Sequence, residues 1–404
     1  MMTKDVQTIF QEFIQKKNQV FKNREMLNSH FTPNTIPYRD TQINVLASIL
    51  APSLKNSRPS NIFIYGMTGT GKTLVSKFVT NELERMSAQN NTQIKILYVN
   101  CKMKKVADTE YRLIAELTRM LGQEIPITGL PTKHVYQTFF NIVDSKDWCV
   151  VIILDEIDYL VEKMGDGFLY NLTRINQELV NSKVSILGIT NDLNFIDILD
   201  PRVKSSLGEE EILFTPYNAV ELQEILKQRS AEGFIDGVLS EEVIPKCAAL
   251  AAQEHGDARR ALDLLRIAGE LCERENEKQI TEKHVDTALE KIDYDRVTEV
   301  VKSLPKQSKL VLWSIINLVD NNHEDIQTGD VYGVYEEKCK SCGLHPLTQR
   351  RLSDLISELD MMGIINAKVI SMGRYGRTRK ITLSVSLNIK QKIIEKLEST
   401  LTVC

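Results

Sequence analysis

An α/β base, an all-α bundle and a C-terminal unit of helices closed by a hairpin are the fold classes that this 404-residue sequence predicts. Three observations predict them. Residues 61–214 alternate short β-rich apolar runs with helix-length amphipathic stretches. A glycine-rich turn, GMTGTGKT (Gly66 to Thr73), stands between the first apolar run and a helical one. Beyond Pro305, three helical stretches precede two extended ones that flank MGRYGRTR. Hydrophobic residues make up 42% of the chain and charged residues 26%, with 19 Gly and 11 Pro. That balance excludes a disordered or collagen-like chain, and the length calls for two or three cores rather than one.

Taken in order, residues 1–35 form an N-terminal extension with helical pattern and no readable motif. Residues 36–216 form the base. Its runs NIFIYG, KILYVN, CVVIILDE and VSILGIT are the near-continuous apolar segments of central parallel strands covered on both faces. Residues 217–294 form the bundle, with Asn218, Ser240, Asp257 and Thr281 as N-cap candidates and Gly233 and Gly256 as stops. Residues 295–305 read as a connecting helix or linker, and 306–404 as a winged helix-turn-helix. The seven cysteines are scattered and odd in number, which suits reduced thiols. Cys339 and Cys342 invite a zinc reading, but no second Cys or His pair stands nearby at finger spacing, so they read as ordinary thiols. No apolar run approaches the roughly 18 residues of a membrane helix, and the N-terminus lacks a signal-peptide core. The expected location is the cytoplasm, in association with the nucleoid. The net charge is −4, yet residues 301–404 carry 15 Lys+Arg against 11 Asp+Glu. Lys368, Arg374, Arg377, Arg379 and Lys380 cluster there without an acid between Asn366 and Lys380, which points to an anionic partner.

The glycine-rich turn carries the strongest chemistry. Glycines at 66, 69 and 71 let backbone N–H groups curl around phosphate oxygens at a helix N-terminus. Lys72 would neutralise the β- and γ-phosphates, and the Thr73 hydroxyl would ligate Mg²⁺. The nucleotide-binding residues expected here are Gly66, Met67, Thr68, Gly69, Thr70, Gly71, Lys72, Thr73 and Leu74. The run CVVIILDEID ends in acids: Asp155 is placed to hold Mg²⁺, mostly through water, Glu156 to polarise the attacking water, and Asp158 to serve the fold. Asn191 ends the strand VSILGIT and can reach a γ-phosphate or its water, or simply open a turn. Arg202 and Arg259 each fall in a helix's first turn, against the helix dipole. Either a nucleotide phosphate or a salt bridge, to the capping Asp or another surface acid, would relieve them.

The order GMTGTGKT, ILDEID, ITND, LDPRVKSSL, GDARRAL and then a winged helix resembles the archaeal replication initiators of the AAA+ class, relatives of eukaryotic origin-recognition and helicase-loading subunits. The resemblance covers nearly the whole chain after about Thr35. It implies an AAA+ P-loop NTPase base, a helical lid and a DNA-binding winged helix, with ATP or ADP and Mg²⁺ between base and lid. Asn191 would be the first sensor, Arg259 the second, and Arg202 an arginine finger acting on a neighbour's nucleotide. Tyr38 and Arg39 resemble the adenine-side element. Lys102, Lys104 and Lys105 sit where the family inserts a DNA-touching helix, although they could equally be solvated. Family members hold nucleotide tightly and hydrolyse it slowly, so nucleotide would act as a switch, setting the angle between the ATPase modules and the winged helix.

The third winged-helix helix, about 347–361, would present Thr348, Gln349 and Arg350 to a major groove. The hairpin tip, with Arg374, Tyr375, Gly376 and Arg377, would lie over a minor groove or the phosphate backbone, or else bind protein. Leu352, Leu355, Ile356 and Leu359 repeat at helical spacing and should be core. The implied function is recognition of double-stranded origin DNA and help in recruiting the replicative helicase, with paralogous initiator subunits as possible companions. A clamp-loader-like ATPase lacks the basic winged helix. A transcription regulator switched by ATP would share every motif, and a protein-remodelling ATPase is the alternative without DNA.

Overall fold

The computed structural model describes residues 19–401 apart from 104–108, 127, 322, 324, 372–376 and 386. Two compact units divide between Val285 and Asp286. In the first, α1 (Asp40–Leu50) leads into five strands and their connections: β1 (Ile62–Gly66), α2 (Lys72–Gln89), β2 (Ile94–Asn100), α3 (Glu110–Met120), α4 (Thr132–Asp144), β3 (Cys149–Asp155), α5 (Ile157–Met164), α6 (Gly167–Thr173), β4 (Lys183–Thr190), α7 (Phe195–Ile198), α8 (Pro201–Leu207) and β5 (Glu210–Phe214). The strands are parallel in the order β2-β3-β4-β1-β5.

Alternation along the strands explains why helices cover both faces. On β3, Val150, Ile152 and Leu154 pack with Leu113, Leu117 and Phe139 of α3 and α4. Val151 and Ile153 face the other way, with Leu46, Leu50, Val75 and Val79 of α1 and α2. All seven residues of β3 are buried. The fifth strand, β5, is an edge: Glu210, Glu211 and Leu213 are exposed and Ile212 and Phe214 buried. Such half-solvated alternation gives a weaker apolar signal than the other four runs, and the sequence pattern did not single it out.

Helices α9 (Ala219–Gly233), α10 (Val243–Gln253), α11 (Ala258–Glu275) and the start of α12 (Glu282–Ser303) complete this unit. Asn218 and Glu221 form a reciprocal capping box on α9, and the Asp257 carboxylate accepts the Arg259 and Arg260 N–H groups of α11. Helix α10 begins at Val243, beyond Ser240, because a turn intervenes. At the start of α12 the Thr281 N–H donates to His284 Nδ1 at 3.0 Å. Residues 20–31, within the segment without a readable motif, are pinned to the bundle: Phe21 stacks on Phe234 at 5.0 Å, and buried Arg229 donates to the Asn28 carbonyl at 2.7 Å and to that of Met26.

The second unit contains most of α12, then α13 (Lys306–Asp320), α14 (Thr328–Ser341), α15 (Gln349–Met361), β6 (Ile365–Ser371), β7 (Arg377–Leu383) and α16 (Leu387–Leu401). Residues 295–303 are thus helical, and Val297, Val301 and Leu304 join the core of this unit. Leu352, Leu355, Ile356 and Leu359 of α15 are buried there, as their spacing predicts. The closing helix α16 is an element beyond the expected hairpin, and its Ile393 and Leu397 enter the same core. Cys339 is buried against Gln307, while Cys342 is half-buried. Among the described residues, no helix is long and apolar enough to cross a membrane.

Candidate functional site

Strand order builds the site. β4 lies between β3 and β1, with Asp155 opposite Ile189 and Tyr65 opposite Thr190. The carboxyl ends of three neighbouring strands therefore deliver the acids, Asn191 and the glycine turn side by side, with neighbouring strands about 4.8 Å apart. Gly66, Gly69 and Gly71 all have positive φ, at 151°, 69° and 92°. At Gly66 a Cβ would collide with the Phe214 carbonyl, and at Gly69 with the Asp257 carboxylate. The loop is therefore a cradle that only glycine can line. Thr70 Oγ1 donates to the Met67 carbonyl at 2.8 Å and tightens the turn.

Lys72 is buried, its ammonium donating to the carbonyls of Gly66 and Met67 at 2.6 Å each. Burial, and then Arg259 nearby, lower its pKa to about 8, against the opposing pull of Asp155, Asp158 and Asp257. Asp155 is 4% exposed, and its Oδ2 accepts two hydroxyls: Thr73 at 2.9 Å and Tyr98 at 2.7 Å. Glu156 follows with φ 56°, a left-handed conformation rare outside glycine, which turns the chain from strand into α5. Asp158 accepts the Thr190 hydroxyl at 2.8 Å and so serves the fold.

An open cavity lies between the glycine turn, the bundle and residues 29–37. Its walls include Phe31, Ile36, Gly71, Leu74, Ile225 and Arg259. The Ala258 N–H donates to the Gly69 carbonyl at 3.2 Å, so α11 is stitched directly to the turn. Arg259 is exposed at this wall. The mixed wall, apolar at one end and cationic at the other, fits a flat heterocycle joined to a polyphosphate. Thr73 and Asp155 supply oxygen donors of the kind Mg²⁺ takes.

Other expected residues are placed differently. Arg39 is 3% exposed and directs its guanidinium at the Thr70 and Thr215 carbonyls, 2.9 and 2.6 Å away, with the Tyr217 ring 3.8 Å beneath it. Pro37, next to Tyr38, lines the cavity, and Arg39 braces the glycine turn. Asn191 is half-buried at the end of β4. Arg202 is 68% exposed and pairs with its own capping residue, Asp200, at 3.0 and 3.1 Å. That salt bridge relieves the cation in the first turn of α8. Glu275, Glu277 and His284 bring three ligand-type atoms within 4.8 Å of one another. His284 Nδ1 accepts the Thr281 backbone N–H, so His284 serves as a cap of α12, with its Nε2 facing the two carboxylates.

On the second unit, Thr348 caps α15, and Gln349 and Arg350 are exposed in its first turn. In the hairpin, exposed Lys368 stands directly opposite exposed Lys380. Like charges in register cost stability unless an anion is near; Lys380 pairs with Asp325. Arg379 is engaged instead with the Ser353 carbonyl and the Ser357 hydroxyl of α15. Lys104, Lys105, Arg374, Tyr375 and Gly376 lie outside the described residues, as does the side chain of Arg377; Lys102 is exposed.

Residues 55–194 match the AAA domain, residues 223–290 the Cdc6 AAA+ ATPase-type lid domain, and residues 299–392 the CDC6 C-terminal winged helix domain. An ORC1-type DNA replication protein of Pyrococcus abyssi is 54% identical over 379 residues, spanning 93% of this chain and 90% of that one. ORC1-type DNA replication protein 1 of Methanosarcina mazei is 52% identical, over 96% and 92%. The chain belongs to the ORC1-type family of DNA replication proteins. The solved structure of Aeropyrum pernix ORC1 in complex with DNA superposes with a TM-score of 0.83 at 42% identity, covering 96% of this chain and all of that one. For this ORC1-type chain, the expected AAA+ base, lid and winged helix are all present, and membership of an AAA+ class carries nucleotide binding with it. Sequence reasoning missed Tyr98, Tyr217 and Arg229 as parts of the cleft and its support, since none stands in a local motif; Asp257, read as an N-cap in GDARRAL, also abuts the glycine turn.

Proposed function

We propose that this ORC1-type protein recognises double-stranded origin DNA through its winged helix and base, with ATP or ADP and Mg²⁺ as a slowly turned-over switch. It recruits the replicative helicase, alone or beside paralogous subunits. The observation that carries the reading is the pairing, in one chain, of a glycine cradle closed by Arg259 with a winged helix that exposes Gln349 and Arg350. Relatives over more than nine-tenths of the chain are named for replication, which favours this reading over a clamp loader or a transcription regulator.

Within the cleft, Lys72 leaves its carbonyls for the β- and γ-phosphates, Thr73 and Asp155 hold the metal, and Arg259 holds the phosphate chain from the lid. Mg²⁺, when bound, neutralises charge developing on the phosphates. Glu156 orients the water, with Asn191 beside it. The test is salt-titrated footprinting on origin and random duplexes with wild type and Arg350→Ala. We expect protection confined to origin DNA, and a variant that loses affinity and about 0.9 of the salt slope if Arg350 meets a phosphate. Equal binding of every duplex by wild type would remove site-specific initiation.

A further inference from the structure

Asp155 is held on one side only. Both hydroxyls that reach it, from Thr73 at 2.9 Å and Tyr98 at 2.7 Å, end on Oδ2, leaving Oδ1 without a hydrogen-bond partner among the described residues. Thr73 follows the glycine turn and belongs to the expected metal site. Tyr98 does not: it lies on β2, opposite Ile153, two residues before Asp155 on the neighbouring strand. Its half-buried ring is fixed from the other side by the Lys77 ammonium, 4.2 Å from the ring centre. Burial and the adjacent carboxylate push the phenol pKa well above its ordinary value, so the hydroxyl stays protonated and donates.

We propose that Tyr98 is a positioning residue for the metal site, holding the Asp155 carboxylate in one rotamer so that Oδ1 faces the cation beside the glycine cradle. A buried aspartate at a strand end rotates about two bonds, and one hydroxyl from Thr73 fixes only a point. A second donor on the same oxygen, arriving from a different strand, fixes the carboxylate plane. Such outer partners orient metal ligands, and their loss typically weakens metal affinity about 10- to 100-fold. The inference rests on the nucleotide reading of the cleft.

The experiment titrates Mg²⁺ against the affinity of the whole protein for a fluorescent ADP analogue, beginning in EDTA, for wild type, Tyr98→Phe, Asp155→Asn and the double variant. Phenylalanine keeps the ring and its packing and removes only the donor. We expect Tyr98→Phe to bind ADP in EDTA as wild type does, and to need about tenfold more Mg²⁺ for half the metal effect. On the Asp155→Asn background the Tyr98 change should add little, because its target carboxylate is gone. A purely structural tyrosine would instead lower the EDTA affinity and the melting temperature and leave the Mg²⁺ midpoint in place, which overturns the proposal. An additive double variant overturns it equally. A wild type that binds no ADP even with Mg²⁺ removes the nucleotide reading itself, a result distinct from an unshifted midpoint in a protein that does bind.

Discussion

The nucleotide cleft and the exposed face of the winged helix use similar residue types in opposite ways. In the cleft, Arg39, Lys72 and Asp155 are each 5% exposed or less, and each is bonded to protein before any ligand arrives. On the second unit, Gln349, Arg350, Lys368 and Lys380 face solvent. The difference teaches that Arg39, Lys72 and Asp155 are parts of the fold, whereas Arg350 and Lys368 present their charge to solvent. Buried, bonded charges act at short range in a low dielectric; exposed ones act through a screened field. Mutations in the first region should therefore register in stability and nucleotide affinity, and those in the second in salt-dependent DNA binding alone.

The sharpest test of that division is Lys72→Ala. It removes the one ammonium in the cradle, and with it two or more charge-assisted bonds to phosphate, so ADP affinity should fall about 10²- to 10³-fold while the protein stays folded. Equilibrium titration with a fluorescent ADP analogue checks it. A loss under tenfold would mean that the backbone cradle alone holds the phosphates. Next in size is a matched pair of variants. Arg39→Ala leaves the buried Thr70 carbonyl and the part-buried Thr215 carbonyl without their guanidinium and should cost about 2 kcal/mol, roughly 6 °C in the melting of the first unit. Arg350→Ala, exposed in the first turn of α15, should move stability by no more than about 0.5 kcal/mol. Melting curves of equal size for the two would erase the contrast between the regions.

What the sequence made legible follows the same line. The glycine turn could be read because its chemistry demands backbone conformations at fixed spacing, and all three glycines have positive φ. The acids after β3 could be read because a seven-residue apolar run ends on them. Arg39 was placed near the right element for a different reason: the family resemblance of its stretch implied the adenine side, but sequence does not say which way a guanidinium turns, and it turned to carbonyls. Tyr98 and Arg229 were out of reach because they meet their partners across 57 and 203 residues, through strand order or lid packing. The edge strand β5 escaped because solvent on one face dilutes its apolar pattern. On the winged helix the core positions of α15 could be read by period, whereas Arg379, one of the basic cluster, went to the fold rather than to the surface.

The smallest expected effect tests the cleft from within. Lys72 has a pKa near 8, below its ordinary 10.5, because burial and then Arg259 outweigh three nearby carboxylates. Between about pH 8 and 10.5 the unfolded chain therefore carries the extra proton, and Lys72's contribution to stability improves as pH rises through that window. For nucleotide the sign reverses. A bound polyphosphate favours the ammonium and lifts its pKa, so binding near pH 8 and above must draw in a proton. Measured in EDTA, where no metal competes, ADP affinity should be level below pH 7 and then fall by at most tenfold per pH unit above about 8. Calorimetry in buffers of different ionisation heat should show up to one proton taken up. Lys72→Arg, which cannot deprotonate in this range, should flatten the profile. A wild-type affinity that stays level from pH 7 to 9.5 would mean that the lysine is already charged in the empty cradle, and that the carboxylates around it, not its burial, decide its state.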